Sequence, residues 1–290
     1  MTKLYEKLIH EHLSFKGMGS GIDKVRAASS GTPDDGITGK LLSHLDLTTL
    51  NSTDNNISVA ALAGKVRAFN NVYPDLTNVA AVCVYPNFAA TVSEALAGTG
   101  VKTAAVAAAF PSAQTFREVK IIETSMAVEK GADEIDIVMP LGAFMKKRYD
   151  QVATEIRELK DAAGNATLKV IIESGLLGSP ENIYMASMIA MDAGADFIKT
   201  STGKAAVSAT PEAAWIMCLA IENFFRETGI KVGLKPAGGI SEVADARLYY
   251  AIVKELLGEE WLVPSLFRIG ASRLANNILS EITGNPAGYF

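Results

Sequence analysis

Soft metal ligands are scarce in this 290-residue chain. It has two cysteines, Cys83 and Cys218, and three histidines, His10, His12 and His44. The cysteines are far apart and in no metal-ligand spacing, and the histidines cluster near the N-terminus. A structural zinc site or a disulfide framework is therefore not expected, and no metal is assigned; reduced, buried thiols in a cytoplasmic protein are the expected state. No apolar run approaches the ~18–20 residues of a membrane span. The opening segment MTKLYEKLIHEH has no apolar stretch of the signal-peptide kind. A basic surface is missing too: 27 Lys and Arg stand against 32 Asp and Glu, a formal net charge of −5, so neither nucleic acid nor membrane is an expected partner. GxGxxG is absent, which removes the usual signature of a dinucleotide-binding sheet.

What remains is rich in core. Hydrophobic residues make up 49% and charged residues 20% of the chain, which suits one large globular domain. Residues 1–16 read as a short amphipathic helix carrying Leu4, Leu8 and Leu13. Residues 17–36 are rich in Gly, Ser, Asp and Thr and read as a flexible linker. Together they make residues 1–40 an N-terminal extension of helix and linker. From residue 41 onward, short apolar runs alternate with helical patterns. Eight strands are expected, at Ser43–Leu47, Val79–Tyr85, Thr103–Ala109, Glu134–Met139, Leu168–Glu173, Phe197–Thr200, Val232–Lys235 and Phe267–Gly270. Phe116, Val119, Ile122 and Met126 repeat at helical spacing. Ser179-Pro180-Glu181 and Thr210-Pro211-Glu212 each supply a cap, a proline at the first helical position and an acid in the first turn. Gly131 and Gly194 sit where helices should end. Eight βα units predict a single (β/α)8 barrel, the TIM-barrel class of α/β fold, over residues 41–290 including a C-terminal tail.

In such a barrel the site lies at the C-terminal ends of the strands. Strand alternation places Ile135, Ile137 and Met139 on one face and Asp136 on the other. It likewise separates Leu168, Val170 and Ile172 from Lys169, and Leu234 from Lys235. The smooth apolar faces suit the helix layer. Asp136, Lys169, Lys235, the strand charge Lys199 and the first-strand pair Asp46 and Thr48 then point inward. Two readings are open. The charges are a structural ion-pair network, or they are a reactive site, since buried charge is costly. A lysine pair has a specific chemical use. An amine attacks a carbonyl only when unprotonated, and desolvation plus a neighbouring ammonium lowers its pKa. Lys199 and Lys235 fall on neighbouring strands, and Asp136 could move protons for them. Lys235-Pro236-Ala237-Gly238-Gly239, Gly270-Ala271-Ser272 and Gly203-Lys204 follow the last three strands, where barrels commonly hold phosphate on backbone N–H groups. Cys83 reads either as packing beside this site or as a thiol that a substrate aldehyde could reach.

At these residues the sequence resembles the deoxyribose-phosphate aldolase family. The matching segments are Leu45–Leu50 (LDLTTL), Cys83–Pro86 (CVYP), Gly131–Asp136 (GADEID), Leu168–Glu173 (LKVIIE), Ala195–Lys204 (ADFIKTSTGK), Lys235–Gly239 (KPAGG) and Gly270–Ser272 (GAS). They run through residues 41–283. The resemblance implies a Schiff-base lyase that cleaves 2-deoxy-D-ribose 5-phosphate reversibly to D-glyceraldehyde 3-phosphate and acetaldehyde. It implies Lys199 as the imine-forming lysine, Lys235 as the lysine that perturbs it, Asp136 as the proton relay and Lys169 as its support. It implies phosphate binding by Gly203, Lys204, Gly238, Gly239, Gly270 and Ser272, and no cofactor. An arginine frequent after the Gly-Gly pair in this family is replaced by Ile240-Ser241, leaving Arg273 as the candidate cation. Some members end in a tyrosine that folds over the site, for which Tyr289 is the candidate here. Such barrels commonly form a homodimer, and no stretch of the sequence marks an interface. Another Schiff-base lyase, and a sugar-phosphate-binding barrel without turnover, are the competing functions.

Overall fold

The computed structural model describes residues 15–29 and 35–290. Eight parallel strands run in the order β7-β6-β5-β4-β3-β2-β1-β8. They are β1 Leu45–Thr48, β2 Ala81–Val84, β3 Lys102–Ala107, β4 Glu134–Val138, β5 Thr167–Ile171, β6 Phe197–Lys199, β7 Gly233–Lys235 and β8 Ile269–Ala271. Bridges from Leu234 to Phe267 and from Ala237 to Gly270 bring β7 against β8 and close the ring. All eight expected strands are present, shifted at their ends by one or two residues.

The helices that cover the barrel start and stop where the local chemistry directs. The helix Asn56–Val72 opens on a capping box between Asn55 and Ser58. Ser179 accepts from the Asn182 N–H and Thr210 from the Ala213 N–H, each just before a proline at the first turn. Gly131 and Gly194 take φ of +93° and +101°, left-handed conformations that a side chain would strain, just after the helices Arg117–Glu129 and Pro180–Asp192. Outward-facing Leu45, Leu47, Ile135, Ile137, Leu168, Val170, Ile198 and Leu234 pack against these helices in one continuous core. The alternation read from the sequence thus separates barrel interior from helix layer.

Three features differ from the sequence reading. Residues 18–29, expected within a linker, form a helix, Met18–Ser29, that packs on the helices Pro211–Thr228 and Val243–Leu257. Its glycines are used for contact: a Cβ on Gly21 would come within 2.6 Å of the Trp215 ring. Ile22 and Val25 are buried beneath it. The helix expected over 1–16 falls outside the described residues except for Phe15 and Lys16, which are not helical. Finally, Phe116, Val119, Ile122 and Met126 do lie on or beside a helix, Arg117–Glu129, but their stripe faces outward, with Phe116 78% exposed. The inner face instead buries Lys120, whose Nζ donates to Glu155 at 2.6 Å on the helix Tyr149–Ala163. A buried ion pair there fixes the rotation of the helix.

If residues 18–29 are a docked helix, Ile22→Ala should lower unfolding free energy by about 2 kcal/mol, the usual order for a truncated core side chain. Urea unfolding measures it, and a flexible segment would show no change.

Candidate active site

The barrel interior holds seven ionic groups joined by ion pairs. Asp136 on β4 lies at the centre: its Oδ1 accepts from Lys169 Nζ at 3.0 Å, and its Oδ2 accepts from Lys199 Nζ and from Lys235 Nζ, both at 2.7 Å. Asp46 on β1 pairs with Lys235, with Lys169 at 3.3 Å and with Arg268 at 2.5 Å. Glu134 accepts from Lys169 at 2.6 Å and from Arg268 at 2.8 Å. Strand register explains the convergence. Asp136 is paired with Lys169, and Lys199 with Lys235, so the side chains share levels on the inner wall. Lys169, Lys235, Asp46 and Asp136 are wholly buried, while Lys199 retains 3% exposure and lines the pocket above.

The electrostatics separate the three lysines. Burial pushes the Lys199 amine down; Asp136 pushes it back up, and the Lys235 ammonium pushes it down again, leaving it below an ordinary lysine. Burial also works against the charged forms of Lys235 and Lys169. Their carboxylate neighbours outweigh it, Asp136 and Asp46 for Lys235 and additionally Glu134 for Lys169, so both rise above the ordinary value. Burial opposes ionisation of Asp136 too, but Lys169, Lys199 and Lys235 hold it well below the usual carboxylate range. Asp46 is depressed in the same way by Lys169, Lys235 and Arg268. One amine in the cluster is therefore set apart as the readiest to lose its proton.

Above Lys199 lies a pocket of about 540 Å³. Its walls include Thr48, Leu50, Asn51, Thr202, Gly203, Lys204, Gly238, Gly239, Gly270, Ser272 and Arg273. Every residue that the sequence assigned to a phosphate end is thus in one cavity with Lys199. Gly238 has φ +85°, and a Cβ there would come within 2.8 Å of Ser201 and Ser208. Gly203 faces it, with its own Cβ position 3.5 Å from the Gly238 Cα. The loop between them is pinned from below: Glu173, at φ +49°, accepts from Thr202 Oγ1 at 2.6 Å and from the Thr202 N–H. Lys204 Nζ donates to the Leu50 carbonyl at 2.8 Å, which tethers the loop to the opposite wall. Thr48 Oγ1 donates to the Asp46 carbonyl at 2.9 Å.

Cys83 is on the inner face of β2, wholly buried among Leu50, Ala81, Ala104 and Val106. Burial, then Asp136, raises its thiol, so it stays protonated beside the lysines. It packs next to the pocket without lining it. Tyr289, a candidate to fold over the site, lies elsewhere in this structure. Its hydroxyl donates to the Lys65 carbonyl at 2.8 Å, and its ring meets Phe69 and Tyr73 on the helix Asn56–Val72. Phe290 stacks on Phe69 and is bound through its N–H to Asn276. Aromatic contacts therefore dock the tail on the outer helix layer, and Tyr289 does not line the pocket over Lys199. Sequence reasoning missed Glu134, Arg268, Glu173 and Thr202. Glu134 was within reach, being two residues before Asp136 on the same strand face. Among the described residues no group of three or more His, Cys, Asp or Glu is arranged to hold a metal ion, and none of the helices could cross a membrane.

Known proteins resemble this chain over most of its length. Residues 40–255 match the DeoC/LacD family aldolase. The deoxyribose-phosphate aldolase of Homo sapiens is 43% identical over 264 residues, 86% of this chain and 83% of the human one. That of Mus musculus is 42% identical over 265 residues, with 86% and 83% covered. Among solved structures, one titled "QR15, an Aldolase" is 27% identical with a TM-score of 0.68, covering 84% of this chain and 96% of that one. A structure described as the unique tetrameric structure of the Aeropyrum pernix deoxyribose phosphate aldolase shares the fold at TM-score 0.67 and 23% identity, covering 90% and 96%. With a family match across most of the barrel and relatives this similar over most of their length, the chain belongs to the DeoC/LacD family of aldolases.

Proposed function

We propose that the chain cleaves 2-deoxy-D-ribose 5-phosphate to D-glyceraldehyde 3-phosphate and acetaldehyde, and runs the reverse addition, through an imine on Lys199. The observation that carries this reading is one carboxylate, Asp136, held between a depressed amine, Lys199, and a persistent ammonium, Lys235, beneath a glycine-lined pocket. Human and bovine relatives named deoxyribose-phosphate aldolase, each 43% identical, support the choice of substrate.

The chemistry follows from these groups. The neutral Lys199 amine attacks the aldehyde carbon of the open-chain sugar and gives a carbinolamine. Loss of water, with one further proton drawn from solvent, leaves the protonated imine. Asp136, kept ionised by three lysines, takes up the proton freed in the attack and returns it to the departing hydroxyl, in general acid–base fashion. The cationic imine then withdraws electrons as the bond between carbons 2 and 3 breaks. The proton of the carbon 3 hydroxyl passes to the basic cluster, carbon 3 becomes the aldehyde of glyceraldehyde 3-phosphate, and carbons 1 and 2 remain as an enamine on Lys199. Protonation at carbon 2 and hydrolysis release acetaldehyde and restore the amine. The imine is its own electron sink, so the scheme invokes no cofactor. At the far end the loops carrying Gly203, Gly239 and Ser272, with Lys204 and Arg273, suit a phosphate; the Gly238 and Gly270 N–H groups donate instead to the Gly270 and Pro236 carbonyls, so these two glycines serve by letting the backbone come close.

Borohydride reduction in the presence of acetaldehyde should leave an adduct on the peptide holding Lys199 and none in Lys199→Ala; an adduct on Lys235 or Lys169 would reverse the roles, and consumption of dihydroxyacetone-type donors alone would overturn the substrate. Lys235→Leu removes a cation that lowers the Lys199 amine. The acidic limb of the pH–rate profile should then move to higher pH by about one unit, and an unmoved limb would contradict the coupling. Gly238→Ala should raise KM for deoxyribose 5-phosphate by about ten-fold or more, because a Cβ at φ +85° is strained and collides with Ser201 and Ser208, which displaces the loop at the phosphate end, while acetaldehyde trapping on Lys199 persists.

A further inference from the structure

The interior cluster continues below the lysines to a layer that no reacting atom touches. Arg268 comes just before β8, with its N–H bonded to the Leu234 carbonyl and Gly270 two residues above it. Its guanidinium reaches Asp46 through one nitrogen and Glu134 through both. Arg268 and Glu134 line the opposite mouth of the barrel, beside Phe197 and Leu266, while Lys199 lines the pocket at the top. A side chain at that depth cannot contact a substrate bound over Lys199.

The charge balance gives this layer a purpose. The linked groups are the carboxylates of Asp46, Glu134 and Asp136 and the basic groups of Lys169, Lys199, Lys235 and Arg268. Fully ionised, four cations face three anions. With one amine neutral, three face three. A buried cluster in a poorly polarisable interior strongly favours the balanced state, and Lys199, paired with Asp136 alone among the three carboxylates, is the cation with least to lose. We infer that Arg268 and Glu134 are positioning residues that set the count of buried charges, so that the cluster is complete without a proton on Lys199. This rests on the reading of Lys199 as the imine-forming amine. Lys199 is faced by Asp136 from β4, Lys235 from β7 and the Cys83 thiol from β2; Lys169 of β5 and Asp46 of β1 reach it through Asp136 and Lys235. The direction of the shifts agrees. Burial opposes the charge on Arg268, yet Asp46 and Glu134 hold it firmly protonated, so it is a fixed charge rather than a titrating one.

The sign of each substitution follows. Arg268→Met leaves two cations against three anions and favours a proton on Lys199. Glu134→Gln leaves three cations against two anions and disfavours it. The two together restore the balance, and Arg268→Lys preserves it. The test is the pH dependence of the rate of borohydride-trapped acetaldehyde adduct on full-length protein. The acidic limb should rise by about one pH unit in Arg268→Met and fall by a similar amount in Glu134→Gln, the size of a single charge acting through a screened interior. It should return to within a few tenths of the wild-type position in the double variant and in Arg268→Lys. A purely structural role would cut the trapping rate without moving the limb, and that result in Glu134→Gln, which keeps the side-chain shape, would overturn the inference even if Arg268→Met fails to fold. If the wild-type protein gives no adduct on Lys199 at any pH, the underlying reading of the active site fails instead, and the two failures are distinguishable.

Discussion

Asp136 accepts from three lysines at once in a space closed to water, and most of what the protein does depends on that shared carboxylate. Removed from water, each of these groups alone would shed its charge at a cost of several kcal/mol. Held together the carboxylates, Lys169 and Lys235 stay charged, while the Lys199 amine is pushed below the ordinary lysine value. The eight-stranded ring exists to make this affordable. It brings β4, β5, β6 and β7 side by side in parallel, so that Asp136 with Lys169, and Lys199 with Lys235, project at matching levels from adjacent strands. Outside the ring, the apolar halves of the same strands pack against helices and supply the driving force for folding.

The barrel divides its work along its axis. At the top, left-handed glycines and the Glu173–Thr202 contact shape the loops that wall the pocket beside Lys199. In the middle, Lys169, Lys199 and Lys235 surround Asp136. At the bottom, Arg268 pairs with Asp46 and Glu134. Cys83 contributes bulk to the middle layer, its thiol kept protonated by burial.

Much of this was legible in the amino-acid sequence because β-strands alternate with period two. The apolar residues Ile135, Ile137, Leu168, Val170 and Leu234 marked the helix side, which left Asp136, Lys169 and Lys235 facing in. The same rule, carried one step further down the strand, would have found Glu134. Arg268 was harder, since it comes one residue before β8 and only the bridge at Phe267 reveals that the inner face extends to it. Residues 18–29 looked like a linker because glycine, serine and charge dominate them; the helix forms because Gly21 admits Trp215 and Ile22 and Val25 are buried, contacts that come from residues almost two hundred positions away. The stripe of Phe116, Val119, Ile122 and Met126 had the right period and the opposite face, because the buried Lys120–Glu155 pair decides the rotation of that helix. Tyr289 could not be placed from sequence at all, since its neighbours Phe69 and Tyr73 come together with it only in the fold.

The most direct test of this account is to observe the protonation of the lysines themselves. Protein carrying ¹⁵N at the lysine side chains, compared with Lys199→Met for assignment, would report each Nζ by its nitrogen shift as pH is raised. The resonance of Lys199 should be the first to gain neutral-amine character, below the ~10.4 of an ordinary lysine, while Lys169 and Lys235 remain ammonium. If Lys199 titrates at or above the ordinary lysine value, or if Lys235 loses its proton first, the central claim that the buried cluster sets one amine apart is wrong.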